Sequence, residues 1–378
     1  MESLSLLAPF TTLWGAVMFI IPFLAVITVI VFFHELGHFS VARFFGVKVD
    51  SFSIGFGREI IGWTDRKGTR WKIGWLPLGG YVKFSDDEHV ASVPGEAAAR
   101  SSDAGGFHSK PLWQRALIVA AGPLANFILA IVIFAGFYTL VGKPVLEPVV
   151  SQVVAGSPAE QAGIQPGDRI LAIDGRKIES FTDISSIVAL KPGREVDVVL
   201  QRGEQKLSLR VRLGEREAPD GIGGTLKVGY LGVTREAAGN VRLERKGPLE
   251  AVALGTRATW DIIAGTMTYL KEIIVGRQSA DQLSGPIRIA QISQKAAETS
   301  WLSLVQLAAI LSVSIGLINL FPIPMLDGGH LLFYAIEAVR GRPLSESAQE
   351  VGFRIGMAML LMLMVFATFN DVMHLFNR

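Results

Sequence analysis

Apolar residues run almost unbroken over positions 13–39, and no charged side chain interrupts them before His34. A stretch of that length exceeds the ~20 residues a helix needs to cross a bilayer. Three more such stretches occur at about 116–141, 302–339 and 355–369, giving a polytopic α-helical membrane protein of about four spans. Prolines fall inside three of them (Pro22; Pro123; Pro322 and Pro324), which is tolerated where neighbouring helices or a cavity satisfy the freed carbonyls. Between the first two spans the period changes from helical to alternating. Phe52, Ile54 and Phe56, a turn at Asp65-Arg66-Lys67-Gly68, then Trp71, Ile73 and Trp75 predict a β-hairpin over 51–84. Gly55, Gly57, Gly79 and Gly80 mark bends or close backbone approach in it, and its aromatic residues suit a membrane interface. Residues 86–106 are small and polar and read as a flexible loop. Residues 149–213 read as a compact β-rich region. Residues 247–300 read as amphipathic helices interrupted at Gly285-Pro286.

Composition agrees with this pattern. The chain has 378 residues, 50% hydrophobic and 19% charged, with a mean hydropathy of +0.40. That is too apolar for a typical soluble protein. A net charge of +2 gives no sign of a nucleic-acid partner, and the expected partners include the lipid bilayer and no nucleic acid. With no cysteine, any metal has to be held by His and carboxylate. The first apolar run does not read as a secretory signal, because no Lys or Arg precedes Arg43 and the run is too long. Lys and Arg crowd the segment from Arg43 to Arg115 and the loop holding Arg340, Arg342 and Arg354. The positive-inside rule then makes both loops cytoplasmic, and puts both termini and the long segment 142–300 on the outer face. The expected division is a first membrane half at 1–142, a β-rich domain at 143–235, an extracytoplasmic amphipathic segment at 236–300 and a second membrane half at 301–378.

The chemistry is carried by His34-Glu35-Leu36-Gly37-His38 at the end of the first span. This H-E-x-x-H spacing sets two imidazoles one helical turn apart, where both can hold one Zn²⁺, with Glu35 placed to take a proton from water. Ionisable groups in an apolar helix are costly and usually functional. A catalytic zinc needs a third protein ligand and one open position. Asp327 is the candidate: it is an acidic residue inside the third span, ~25 residues from its outer end, a depth matching His34 and His38. Pro322 and Pro324 must break that helix, and the unwound turn would let Asp327 swing into the bundle. His330 is the rival ligand, while His89, His108 and His374 read as solvated.

These motifs carry two resemblances. The run Gly167-Asp168-Arg169-Ile170-Leu171-Ala172-Ile173-Asp174-Gly175 resembles PDZ domains of bacterial envelope proteases, which bind extended peptide or C-terminal segments at a sheet edge. A role as a size filter over the membrane part is the alternative. The H-E-x-x-H motif, Asn319-Leu320-Phe321-Pro322-Ile323-Pro324-Met325-Leu326-Asp327-Gly328 and the intervening PDZ-like region resemble the site-2 protease family of intramembrane metalloproteases. Within it the chain is most similar to the bacterial regulator-of-sigma-E protease branch, in a single-PDZ form. Ala121-Gly122-Pro123-Leu124-Ala125-Asn126-Phe127, Arg115 and Leu283-Ser284-Gly285-Pro286-Ile287 extend the match.

The resemblance implies that His34, His38 and Asp327 bind zinc, that Glu35 is the base and that Asn319 contacts substrate or the oxyanion. It implies that the hairpin offers a β edge to an unwound helix of a single-span membrane-protein substrate. It further implies a bacterial inner membrane location with the active site near the cytoplasmic face. Two other classes fit parts of the pattern: a membrane-anchored PDZ adaptor with a non-catalytic metal, and a transporter using His and carboxylate as an ion path.

Overall fold

The computed structural model describes residues 13–86, 105–219, 225–234, 241–276 and 285–376. Most of the expected loop at 86–106, including His89, lies outside the described residues. Among the described residues, four helices are long and apolar enough to cross a membrane: Val17–Phe44, Leu112–Leu140, Trp301–Asn319 and Glu346–Met373. The chain divides into two compact units, residues 1–136 with 248–378, and residues 137–247.

In the first unit, helix α1 (Leu13–Phe44) leads into strands β1 (Val49–Thr64) and β2 (Arg70–Phe84). The turn between the strands is fixed by Asp65, whose carboxylate accepts the backbone N–H groups of Lys67 (2.8 Å) and Thr69 (3.1 Å). The expected hairpin is present, but it folds on itself. Ser51, Phe52, Ser53 and Ile54 pair on one side with residues 70–73 of β2 and on the other with residues 80–83. Residues 59–64 of β1 pair in turn with residues 70–74. Two long, bent strands thus build a four-segment sheet with residues 80–84 at one edge. Phe52, Val82 and Phe84 are buried with Ala42 of α1, and with Ile118 and Val119 of helix α2 (Leu112–Leu140). This apolar cluster seats the sheet on the end of α1 that carries the H-E-x-x-H motif.

Helices α1 and α2 meet at a glycine. A Cβ on Gly37 would lie 2.8 Å from the Cβ of Ala125, so the variable position of the motif is small where the two backbones approach.

The second unit begins with two short strands, β3 (Lys143–Leu146) and β4 (Gln152–Val153), and the helix α3 (Pro158–Gln161). This helix is capped by Ser157. Next come β5 (Arg169–Ile173), β6 (Arg176–Lys177), helix α4 (Phe181–Ala189), β7 (Glu195–Arg202) and β8 (Gln205–Arg212). The last four strands form an antiparallel sheet of order β6-β5-β7-β8. Asp174 and Gly175 join β5 to β6 with φ 48 and 73, the pair of positive φ values a two-residue hairpin turn requires. Val196, Val198 and Leu200 alternate inward along β7. They pack with Ile170, Ile173 and Val211, and with Phe181, Ile184 and Val188 of α4.

Asp168 ties this unit together. Its buried carboxylate accepts Arg202 Nε (2.7 Å), Arg202 Nη2 (2.8 Å) and the Gln165 N–H (2.8 Å). Burial alone would raise its pKa, but the Arg202 and Gln165 hydrogen bonds outweigh that and hold the carboxyl below the usual range. A pKa depressed on folding stabilises above the unfolded value of about 3.9 and is lost as pH falls through the folded value. Asp168→Asn is therefore expected to lower the thermal midpoint of this unit at neutral pH. The gap from the wild type should narrow as pH falls below about 4, where the carboxyl of the unfolded chain takes up a proton, and close once the folded carboxyl does so at lower pH. Calorimetric scans of both proteins across that range check the sign.

The remaining helices belong to the first unit: α5 (Pro248–Ile274), α6 (Pro286–Thr299), α7 (Trp301–Asn319), α8 (Asp327–Arg340) and α9 (Glu346–Phe376). The expected third span over 302–339 is corrected here. It is two helices, α7 and α8, separated by a turn at 320–326. Pro322 and Pro324 have no N–H to continue the helical ladder, and Met325 turns the backbone with φ +90. Asp327 therefore lies outside the span, as the first residue of α8. The Gly285-Pro286 break is also observed, with Gly285 as N-cap and Pro286 in the first turn of α6. The cap is completed from a distant helix: the buried Asp371 of α9 accepts the N–H groups of Gly285 (2.9 Å) and Arg288 (3.0 Å). A carboxylate at a helix N-terminus satisfies orphan donors and matches the helix dipole.

Candidate metal centre

The helical repeat of α1 brings the two histidines of the H-E-x-x-H motif together. One turn separates His34 from His38, and their rings meet edge to face with centroids 4.8 Å apart. The His34 and His38 Nε2 atoms are 3.2 Å apart. Asp327, brought in by the turn after α7, completes the group. Its Oδ2 is 3.1 Å from His34 Nε2 and its Oδ1 is 3.5 Å from His38 Nε2. These separations can be compared with the demands of a metal. Zinc bonds of 2.0–2.2 Å in a tetrahedron place neighbouring ligand atoms about 3.3–3.6 Å apart. The observed 3.1–3.5 Å fits that edge length. Asp327 Oδ2 is buried with no hydrogen-bond partner among the described residues despite its closeness to His34, as suits an oxygen whose partner is a cation. The donor set, two imidazoles and one carboxylate, fits zinc in a chain that has no cysteine.

Several surrounding groups shape the centre. The ring of His38 is oriented by its Nδ1–H, which donates to the Ile118 carbonyl of α2 at 2.8 Å. The Nε2 lone pair is thereby left for metal. Asn126 of α2, fully buried, places its amide nitrogen 3.3 Å from His34 Nδ1. Gly122 of α2 leaves the space that both rings occupy: a Cβ there would lie 2.9 Å from His34 Cε1 and 2.5 Å from His38 Cε1. Gly122→Ala is accordingly expected to cut the zinc content of the purified protein to a small fraction of wild type. Metal analysis of folded protein in detergent is the check, and full occupancy would show that the rings have room to move.

Glu35 sits between the two histidines in sequence, with the charges of His34, His38 and Asp327 around it, and the backbone N–H of Val82 in β2 is directed to its carboxylate. A Cβ on Gly80 would lie 3.5 Å from Glu35 Cγ. The β edge at 80–84 thus runs beside the candidate base. In an antiparallel ladder alternate residues face their partner and face away. Val82, whose N–H reaches Glu35, faces away from β1, and by the same period so does Gly80.

His34, Glu35, His38 and Asp327 are therefore brought together. Asn319 is the last residue of α7, half-buried, and its side chain has no hydrogen-bond partner among the described residues. The ring of the rival His330 packs on Phe353 of α9, at 5.5 Å between centroids, and is not part of the cluster. Gly122, Asn126, Gly80 and Val82 were not singled out as site residues by sequence reasoning. Asn126 carried a usable signal, as a polar side chain within an apolar span.

A trio of side chains that could hold a metal ion, with a carboxylate beside it, thus lies in a chain that has helices long enough to cross a bilayer. The chain belongs to peptidase family M50, which it matches over residues 22–363; this is the site-2 protease family that the motifs resemble. It is 48% identical to a protein of Agrobacterium fabrum named as a zinc metalloprotease, over 94% of this chain and 95% of that relative. A similarly named protein of Rhizobium meliloti is 49% identical over 94% of this chain and 96% of its own length. The metalloprotease MmpA of Caulobacter vibrioides is 42% identical, over 95% of this chain and 96% of that protein.

Proposed function

We propose that this chain is an intramembrane zinc metalloprotease that cleaves a peptide bond within or next to a transmembrane helix of a membrane protein. The observation that carries the reading is the trio of ligand atoms 3.1–3.5 Å apart beside Glu35. His34, His38 and Asp327 are the zinc ligands and Glu35 is the general base. When bound, zinc supplies a Lewis acid that polarises the scissile carbonyl and acidifies water. Glu35 takes the proton from the attacking water and delivers it to the leaving amine. Asn319 is assigned to contact substrate or the developing oxyanion. A helical substrate hides its carbonyls in its own hydrogen bonds, so it has to unwind before attack. The outward-facing backbone of Gly80 and the Val82 carbonyl offer it a strand edge to pair with, which satisfies the substrate backbone where water is scarce.

The sheet of residues 169–212 and its helices support a PDZ domain that binds a peptide or protein segment and selects substrates. Together with the motifs, this favours the regulator-of-sigma-E branch in a single-PDZ form. Its substrates would be single-span proteins, such as an anti-sigma factor in envelope stress signalling or signal-peptide remnants. The charge distribution supports a bacterial inner membrane protein with both termini and the PDZ domain outside and the active site near the cytoplasmic face. The test is reconstitution with a single-span substrate whose helix contains helix-weakening residues. Cleavage within or beside the span should stop on treatment with a zinc chelator and return when zinc is added back. Bound zinc with no cleavage of any membrane substrate would favour the adaptor class instead, and metal or proton flux in vesicles the transporter class.

A further inference from the structure

We propose that Asn126 is the positioning residue that keeps His34 in the tautomer able to bind metal, its side-chain oxygen accepting the His34 Nδ1 proton. This rests on the zinc reading above. An amide nitrogen can only donate. With Asn126 Nδ2 at 3.3 Å from His34 Nδ1, Nδ1 is the acceptor, and a neutral imidazole then carries its proton on Nε2. Nε2 is the atom that faces His38 and Asp327. In that tautomer it has no lone pair to give a metal. At the same time Asn126 Oδ1 is buried with no partner among the described residues.

A half-turn of the amide exchanges the two atoms without changing its shape. Oδ1 then accepts Nδ1–H, and the Nε2 lone pair points to the place where the three ligand atoms converge. The half-turn leaves Nδ2 unpartnered in place of Oδ1, so hydrogen bonding by itself does not choose between the orientations. Metal binding chooses, because only one of them frees the lone pair.

His38 already has this arrangement, with its Nδ1–H on the Ile118 carbonyl. Helix α2 would thus supply both acceptors, one from its backbone and one from a side chain two turns further on. The main-chain oxygen of Asn126 is bonded elsewhere: Ser312 Oγ of α7 donates to it at 2.8 Å. That bond also fixes the height of Asn126 against the bundle. Outer hydrogen-bond partners of this type commonly change metal affinity by ~10–100-fold.

The test uses the full-length protein in detergent, stripped with a chelator, with zinc affinity read by competition against a chelating indicator. Asn126→Leu keeps the volume and removes the acceptor, and should weaken zinc binding by ~10–100-fold. Asn126→Asp keeps an acceptor in place and should bind zinc at least as tightly as wild type. A purely structural role predicts no such rescue by Asp over Leu. Wild-type affinity in Asn126→Leu, or equal loss in both variants, overturns the proposal. A measurement on the unmutated protein covers the case in which the variants do not fold. In zinc-loaded, ¹⁵N-histidine-labelled protein, the His34 resonance, assigned by its loss in His34→Gln, should show a protonated Nδ1. A bare Nδ1 would also overturn it. Absence of zinc from the wild type would sink the protease reading instead, so the two failures are distinguishable.

Discussion

Glu35→Gln is expected to abolish cleavage of a transmembrane substrate while leaving zinc content and thermal stability at wild-type values. Gln keeps nearly the same shape and can still accept the Val82 N–H. It loses the capacity to take a proton. General base catalysis commonly contributes ~10²–10⁴-fold, and here the same group is also asked to protonate the leaving amine, so the loss should reach the upper end of that range or exceed it. None of the three ligand atoms is touched, and the metal should therefore stay. Cleavage products counted by mass spectrometry after reconstitution, beside metal analysis of the same preparation, give the two readouts. Product formation at near wild-type rate would remove Glu35 from the mechanism and with it the protease assignment as argued.

The second large effect concerns Asp327. Asp327→Asn preserves size and can offer one oxygen, but it removes the only negative charge from the trio. Two neutral imidazoles and an amide are a much poorer site for a divalent cation. The zinc affinity should fall further than the ~10–100-fold typical of residues that only touch a ligand. His34→Ala and His38→Ala should lose zinc to a similar degree, since each supplies one of the converging nitrogens. His330→Ala should retain it, because that ring packs on Phe353 and not in the cluster. Metal content of the four variants in detergent decides the matter. Full zinc in Asp327→Asn together with loss in His330→Ala would exchange the two residues and require the α7–α8 turn to be rebuilt around the other one.

Part of this protein is written in one dimension. The four spans are legible because crossing hydrocarbon requires ~20 apolar residues in a row. The H-E-x-x-H pair is legible because a helix brings positions four apart to one face whatever surrounds it. Even the break at Pro322 and Pro324 could be read, since proline removes a helical N–H in any context. The course of the chain beyond that break could not. Nothing local says that the residues after Pro324 begin a separate helix and do not resume the span, and so sequence reasoning places Asp327 inside it. The hairpin, too, reads as two strands, whereas bending doubles it into a four-segment sheet. The bends fall at Gly55, Gly57 and Gly79, which have positive φ and which the sequence marks, but the seat of the doubled sheet on Ala42, Ile118 and Val119 is tertiary, and Ile118 and Val119 are remote in sequence from the strands.

The centre depended most on tertiary structure. Asp327 lies nearly the whole chain away from His34, and only the packing of the helices puts its oxygen 3.1 Å from the imidazole. The space at Gly122, the acceptor at Ile118 and the amide of Asn126 all come from α2, a helix with no motif histidine or acid of its own. Local rules determine which residues share a helical face. Which faces meet is decided by the packing of whole helices, because ligand geometry is a matter of a few tenths of an ångström and no single segment contains all the atoms that set it.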